Sequence, residues 1–464
     1  TTELGRIDQF SGYRYATLEA KAPKTVDKAA VLLTFSGGGT RAAALADGVL
    51  RAMAETEVRG SAGPVPLASQ IDVISSVSGG SVTAAYFALN GIDGLSGLEQ
   101  NFLKRDIIST LVGRTLFDPA AWFQPRIEIL NSYLDENVFN GKTYQDLLDV
   151  NAPGRARRPY VVLNAADMAT GSVFSFNQDQ FDLICADLAK LKIADAVSAS
   201  AAFPVLLSAL TLRNHAPCAA QTAAVGDRRS GWQLHDGAPE PVRIVNDRAT
   251  DVATGVNYPK AENLSRFRRG TVALTYLNRD GSKKYVQLLD GGIADNLGLT
   301  LPMILLTSPS EAPSILNRIN TGRVDKLLLI VVNARGEGEN AYGSSPKPPG
   351  AADMLLTSIG TPIDATSFQL LSKLDLLIDD RVDPKSVVMV DFDFITDSAC
   401  RARFHAMATS WSLPAAEVDA LIALGRAMVL QSPRYQAMVA ALGGTVPPAH
   451  PSVEEICAGL RGTS

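Results

Sequence analysis

Ser78, Asp290 and the run Gly37-Gly38-Gly39 are the residues of this 464-residue chain whose types and surroundings could do chemistry. Ser78 stands between the β-branched run Ile71-Asp-Val-Ile-Ser-Ser-Val77 and the small-residue stretch Gly79-Gly-Ser-Val-Thr-Ala-Ala-Tyr86, a pattern of strand, sharp turn and helix. A serine at such a bend needs small residues two before and two after it, and here they are Ser76 and Gly80. The helix that follows opens with unpaired N–H groups, Gly79 first, and a positive dipole end. That suits the oxyanion formed when a hydroxyl attacks a carbonyl. Taken alone, the stretch reads equally well as a serine and a glycine capping a helix.

The apolar run Ala30-Val-Leu-Leu-Thr-Phe35 leads into Ser36 and the three glycines. Consecutive N–H groups with no side chains in the way can cradle a negatively charged oxygen, so Gly37, Gly38 and Gly39 with the N–H of Gly79 form a candidate oxyanion hole. A nucleotide cradle is poorly supported, because the loop has neither Gly-Lys-Ser/Thr nor G-x-G-x-x-G. Arg41 falls in the first turn of the next helix, where its charge opposes the dipole. It therefore calls for an anion or carboxylate nearby, unless it is a surface arginine.

A nucleophilic serine needs a base within about 2.6–3.2 Å. His215 and His235 fall in a loop-rich region and His405 and His450 in the C-terminal tail, so no histidine follows a core strand. Asp290 does, at the end of Lys284-Tyr-Val-Gln-Leu-Leu-Asp290, and Gly291 and Gly292 after it let the backbone turn away. A carboxylate can take a serine proton if burial raises its pKa or transfer is concerted with attack. A strand-end aspartate making a turn is the plain alternative. If all three sites end parallel strands, they converge at one edge of a sheet.

The elements that must position these groups follow a β-α-β-α pattern from residue 30 to 91, which predicts a parallel sheet. Residues 95–150 read as mostly helical. Arg158–Asn164 and Ser172–Phe176 read as strands joined through Gly171, and 192–203 as a small-residue helix stopped by Pro204. A hairpin is expected over Thr271–Asp290, turning through Asn278-Arg-Asp-Gly281, then a buried strand at Lys326–Val332 and a last one near Ser386–Phe394. The expected fold is a three-layer α/β/α sandwich around a mostly parallel sheet. It comprises a lead-in segment (1–30), the α/β domain (31–396) and a helical C-terminal extension (397–464). The loop-rich insert at 214–268 and an amphipathic stretch at 352–378 are candidate covers for the site, with ordinary surface loop and core helix as the alternatives.

Composition narrows the classes. Hydrophobic residues make up 46% and charged residues 20%, as in a folded enzyme. A net charge of −5 without a Lys/Arg run argues against nucleic acid as partner. No apolar stretch reaches the roughly 20 residues of a membrane-spanning helix, which leaves a soluble or peripheral membrane protein. The chain starts at Thr1, so any targeting peptide is processed away or left out. Cys185, Cys218, Cys400 and Cys457 match no metal spacing. Proximity favours disulfides 185–218 and 400–457 and with them an oxidising (secreted or periplasmic) compartment, while free core cysteines are the other reading.

Three blocks in order, Ser36-Gly-Gly-Gly-Thr-Arg-Ala42, Ser76-Val-Ser-Gly-Gly80 and Asp290-Gly-Gly-Ile-Ala-Asp-Asn296, resemble those of the patatin-like phospholipase family, with cytosolic phospholipase A2 catalytic domains as more distant relatives. The likeness spans roughly residues 31–300, and Ala201-Ala-Phe-Pro204 is similar to a fourth block. The resemblance implies a Ser78/Asp290 dyad, the glycine-loop oxyanion hole, Arg41 at a position where the family has Arg or Lys, and hydrolysis of acyl esters in lipids without cofactor or metal. The family's usual glycine two residues before the nucleophile is Ser76 here.

Overall fold

The run Ala29–Phe35 is apolar at six of its seven positions and buried at all of them, as a strand covered on both faces must be. In the computed structural model, residues 1–8, 11–107, 109, 126–151, 156–204, 207–226, 271–307, 314–336, 382–383 and 385–461 are described. The elements used below are β1 (Ala29–Phe35), α1 (Gly39–Glu55), β2 (Val73–Val77), α2 (Gly79–Asn90), β3 (Tyr160–Asp167), β4 (Ser172–Ser175), α3 (Ile193–Ser200), β5 (Leu210–Arg213), β6 (Tyr285–Asp290), β7 (Lys326–Asn333), β8 (Lys385–Asp391), α4 (Ser398–His405) and α5 (Ala415–Gln431).

One eight-stranded sheet runs β8-β7-β1-β2-β3-β6-β5, with β4 also on β3. From β8 to β3 all neighbours are parallel, and helices flank the sheet, so the fold is the expected mostly parallel α/β/α arrangement. The C-terminal residues are helical and do not stand apart, because α5 lies along α1.

The remaining pairings depart from the parallel scheme. β4 and β6 pair antiparallel with β3, and β5 antiparallel with β6. β3 outruns β2, whose Val77 is level with Asn164, and β6 comes in against that overhang from the opposite direction to place Asp290 level with Ala165. Asp290 thus reaches the end of β2 by a register match on an antiparallel strand, not by the common edge of parallel strands.

The expected hairpin over Thr271–Asp290 is half right. Its turn is present, with Asn278 at φ 49° and Gly281 at φ 74°, but residues 271–276 are helical. Ala273, Tyr276 and Leu277 are buried at helical spacing, and the Tyr276 hydroxyl donates to Asp167 (2.9 Å). Strand β6 already has β3 and β5 as neighbours, so the preceding residues are free to pack as a helix. The last strand stops at Asp391, where a short 3-10 turn over Phe392–Phe394 begins. Within 214–268 the described start carries a helix at Ala219–Gly226; the rest of that insert, His235 and the 352–378 stretch lie outside the described residues. No helix among the described residues is long and apolar enough to cross a membrane.

Candidate active site

Between β2 and α2, Ser78 adopts φ 50° and ψ −122°, a conformation that costs a non-glycine residue about 1–3 kcal/mol and persists because its surroundings hold it. The neighbours expected to be small are in close contact. A Cβ on Gly80 would lie 2.7 Å from the Phe35 side chain and from the Ser36 carbonyl. One on Gly79 would lie 2.0 Å from the Gly39 carbonyl, so the elbow and the glycine loop touch backbone to backbone. Ser76 occupies its position without crowding: its hydroxyl is buried and meets Ser81 Oγ at 3.1 Å.

The glycine loop lies over Ser78, since a Cβ on Gly37 would be 3.4 Å from the Ser78 Cβ. Its N–H groups are not equivalent. Gly37 donates to the Asn296 carbonyl (3.2 Å), so it is already engaged and leaves the set expected from sequence. Among the described residues, the N–H groups of Gly38, Gly39 and Gly79 have no partner. Asn296 was not singled out as a site residue from sequence, yet its side chain sits between the two loops, 2.7 Å from a Cβ built on Gly37 and 2.9 Å from one on Gly292.

Arg41 corrects another expectation. It is buried, and no carboxylate among the described residues answers it: Nε donates to the Ala334 carbonyl (2.8 Å), Nη1 to the Met407 carbonyl and Nη2 to Thr409 Oγ1 (2.9 Å). Neutral oxygens at the end of β7 and in the segment after α4 satisfy its geometry but not its charge. Burial therefore draws its pKa down to about 10, which leaves it a cation at neutral pH. The charge lies just behind the loop, with Nη2 3.6 Å from a Cβ built on Gly38. The same segment holds the loop directly, because Thr40 N–H donates to the Ser410 carbonyl (2.8 Å).

Asp290 is buried, and Gly292 N–H donates to its Oδ1 (2.7 Å). Burial pushes its pKa up to about 6, against the Gly292 N–H and the neighbouring Ser78 hydroxyl, both of which pull it down. Gly291 has no room for a side chain, since a Cβ there would lie 2.2 Å from the Asn164 carbonyl. Asp290 and Ser78 thus lie at neighbouring positions, since Asp290 is level with Ala165 and Val77 with Asn164, and a Cβ on Gly291 would be 3.2 Å from the Val77 side chain.

The described histidines are engaged elsewhere: His215 with Thr1, His405 with Asp393 and the Arg335 carbonyl, His450 with Glu455. Cys185 is bonded to Cys218 and Cys400 to Cys457. Among the described residues the one group spaced for a metal is Glu3 with Cys185 and Cys218, and the disulfide removes both of its thiolates.

Compared with known proteins, residues 33–303 match the family model described as patatin-like phospholipase. No curated protein matches the chain.

Proposed function

The chain belongs to the patatin-like phospholipase family of lipid hydrolases, and on that premise we propose that it cleaves acyl esters of lipids through Ser78 and Asp290. Ser78 Oγ attacks the ester carbonyl carbon while its proton passes to Asp290. The carbonyl oxygen becomes an oxyanion that the N–H groups of Gly38, Gly39 and Gly79 receive, each worth about 10²–10³ in rate. The buried Arg41 cation adds favourable potential from behind the loop. Collapse of the intermediate breaks the C–O bond, Asp290 returns the proton to the leaving alcohol, and the acyl group stays on Ser78. Water then attacks the acyl-serine, giving its proton to Asp290; the fatty acid departs and Ser78 regains its hydrogen.

The observation that carries this reading is a buried carboxylate with a raised pKa at the end of one strand, next to a strained serine at the end of another and beside unengaged amides. An ordinary surface aspartate would be too weak a base. Ser78→Ala should abolish p-nitrophenyl ester turnover and fluorophosphonate labelling and leave the thermal transition nearly unchanged. Turnover retained in that variant would end the proposal.

A further inference from the structure

Ser200 closes α3, and nothing in its immediate sequence distinguishes it from the other small residues there. Its contacts do. Its hydroxyl accepts the Ser78 N–H (2.8 Å) and donates to the Asn164 carbonyl (2.6 Å). Its own carbonyl accepts the Gly291 N–H (3.0 Å), and two residues on the Ala202 carbonyl accepts the Asp290 N–H (3.0 Å). One turn of chain therefore grips the backbone of both candidate catalytic residues.

We propose that Ser200 is a positioning residue for the Ser78–Asp290 pair, its hydroxyl holding the backbone N–H of the nucleophile and its carbonyl that of Gly291, the residue next to the acid. This rests on the dyad reading above. Both loops need such a hold. At φ 50° the Ser78 N–H belongs neither to the β2–β3 ladder nor to α2, and among the described residues Ser200 Oγ is its partner. Strand β6 meets β3 over three residue pairs, ending at Asp290 opposite Ala165, so Gly291 N–H must find an acceptor outside the ladder. Ser200 supplies one to each.

Hydrogen-bond capacity fixes the direction of the network. The Asn164 carbonyl can only accept, so the single hydroxyl hydrogen of Ser200 goes there. The two lone pairs of Ser200 Oγ then take the Ser78 N–H and the Ser81 hydroxyl (2.9 Å), and the one hydrogen of Ser76 has Ser81 Oγ (3.1 Å) and the Val162 carbonyl (3.4 Å) as acceptors. All of these groups are buried, so an unmade bond cannot be replaced by bulk water. Removing the Ser200 hydroxyl strands the elbow N–H, whereas removing that of Ser81 leaves both backbone grips intact.

The test uses the full chain and a p-nitrophenyl ester, comparing wild type, S78A, S200A, S200C and S81A. Near-UV circular dichroism and urea midpoints identify the folded variants. S200C fills the space of the serine with a weak acceptor and serves if S200A does not fold. Expected for either is a fall in kcat of about 10- to 100-fold with KM within about twofold, the scale of a misplacement near 1 Å. The acid limb of kcat should also move to higher pH, because a displaced Ser78 hydroxyl no longer pulls the Asp290 pKa down. S81A should stay within about threefold of wild type with the limb in place. A folded Ser200 variant with wild-type kcat and wild-type acid limb overturns the positioning role, and so does an S81A loss as large as that of S200A. If S78A keeps turnover, the dyad reading fails and Ser200 falls with it; if S78A is inactive and the Ser200 variants are not, the positioning role alone is lost.

Discussion

In the proposed mechanism Asp290 carries opposite demands for stability and for chemistry. With its pKa at about 6 instead of the usual 3.8, it keeps its proton in the folded protein over a range where the unfolded chain has released it. Stability therefore falls as pH rises from near 4 to about 6 and stays lowered above that. Activity runs the other way, since a base must be ionised to accept the serine proton. We expect kcat/KM to have an acid limb with an apparent pKa near 6, read from a pH–rate profile. Asp290→Asn should lose turnover and at pH 8 gain about 1–3 kcal/mol in urea unfolding, a gain that disappears near pH 4. A variant no more stable than wild type at pH 8 would mean that the buried carboxylate is not under strain.

The glycine loop owes its shape to elements on both sides of it. On one side Gly79 meets the Gly39 carbonyl, so the elbow sets how far the loop can fold down. On the other, the segment from Met407 to Ser410, beyond the family match, holds Arg41 and the Thr40 N–H. That segment follows directly on α4, which the Cys400–Cys457 bond ties to the C-terminal helix Val453–Arg461. Closing a 57-residue separation is worth about 4 kcal/mol by loop-closure entropy. Replacing both cysteines by serine should lower the unfolding free energy by about 2–4 kcal/mol. It should also lower kcat of the protein that remains folded, because the loop loses part of its anchor. Chemical denaturation and ester turnover on the same sample separate the two effects, and an unchanged kcat would detach α4 from the site.

Across the whole molecule, helices that look like an appendage in sequence form part of the core. Along the contact between α1 and α5, a Cβ on Gly425 would lie 2.3 Å from the Leu45 carbonyl and one on Gly48 2.1 Å from the Ile422 carbonyl. The helices meet backbone to backbone. A network from Asp47 through Arg51, Glu99 and Lys104 to Asp419 closes the same seam. Gly425→Ala should push α5 off α1 and cost about 1–3 kcal/mol, the usual scale of overpacking. Because α1 begins at the glycine loop, the esterase rate should fall as well. A gain in stability from the better helix former would show that the contact has slack.

Local pattern alone determined the strand–turn–helix at Ser78, the glycine run after β1, the β-α-β-α start of a parallel sheet and the family to which the chain belongs. Each of these depends on neighbours within a few residues: β-branched runs favour strands, small residues permit sharp turns, and the three blocks are contiguous in the chain. Tertiary structure decided the rest. The antiparallel approach of β6 and the helix at residues 271–276 depend on which strand edges are open, and Thr271–Tyr276 reads as a strand until β3 and β5 occupy both sides of β6. The engagement of Gly37 by Asn296, the neutral partners of Arg41 and the double grip of Ser200 join residues up to 368 positions apart. Backbone carbonyls supply most of those contacts, and a carbonyl leaves no mark on residue type.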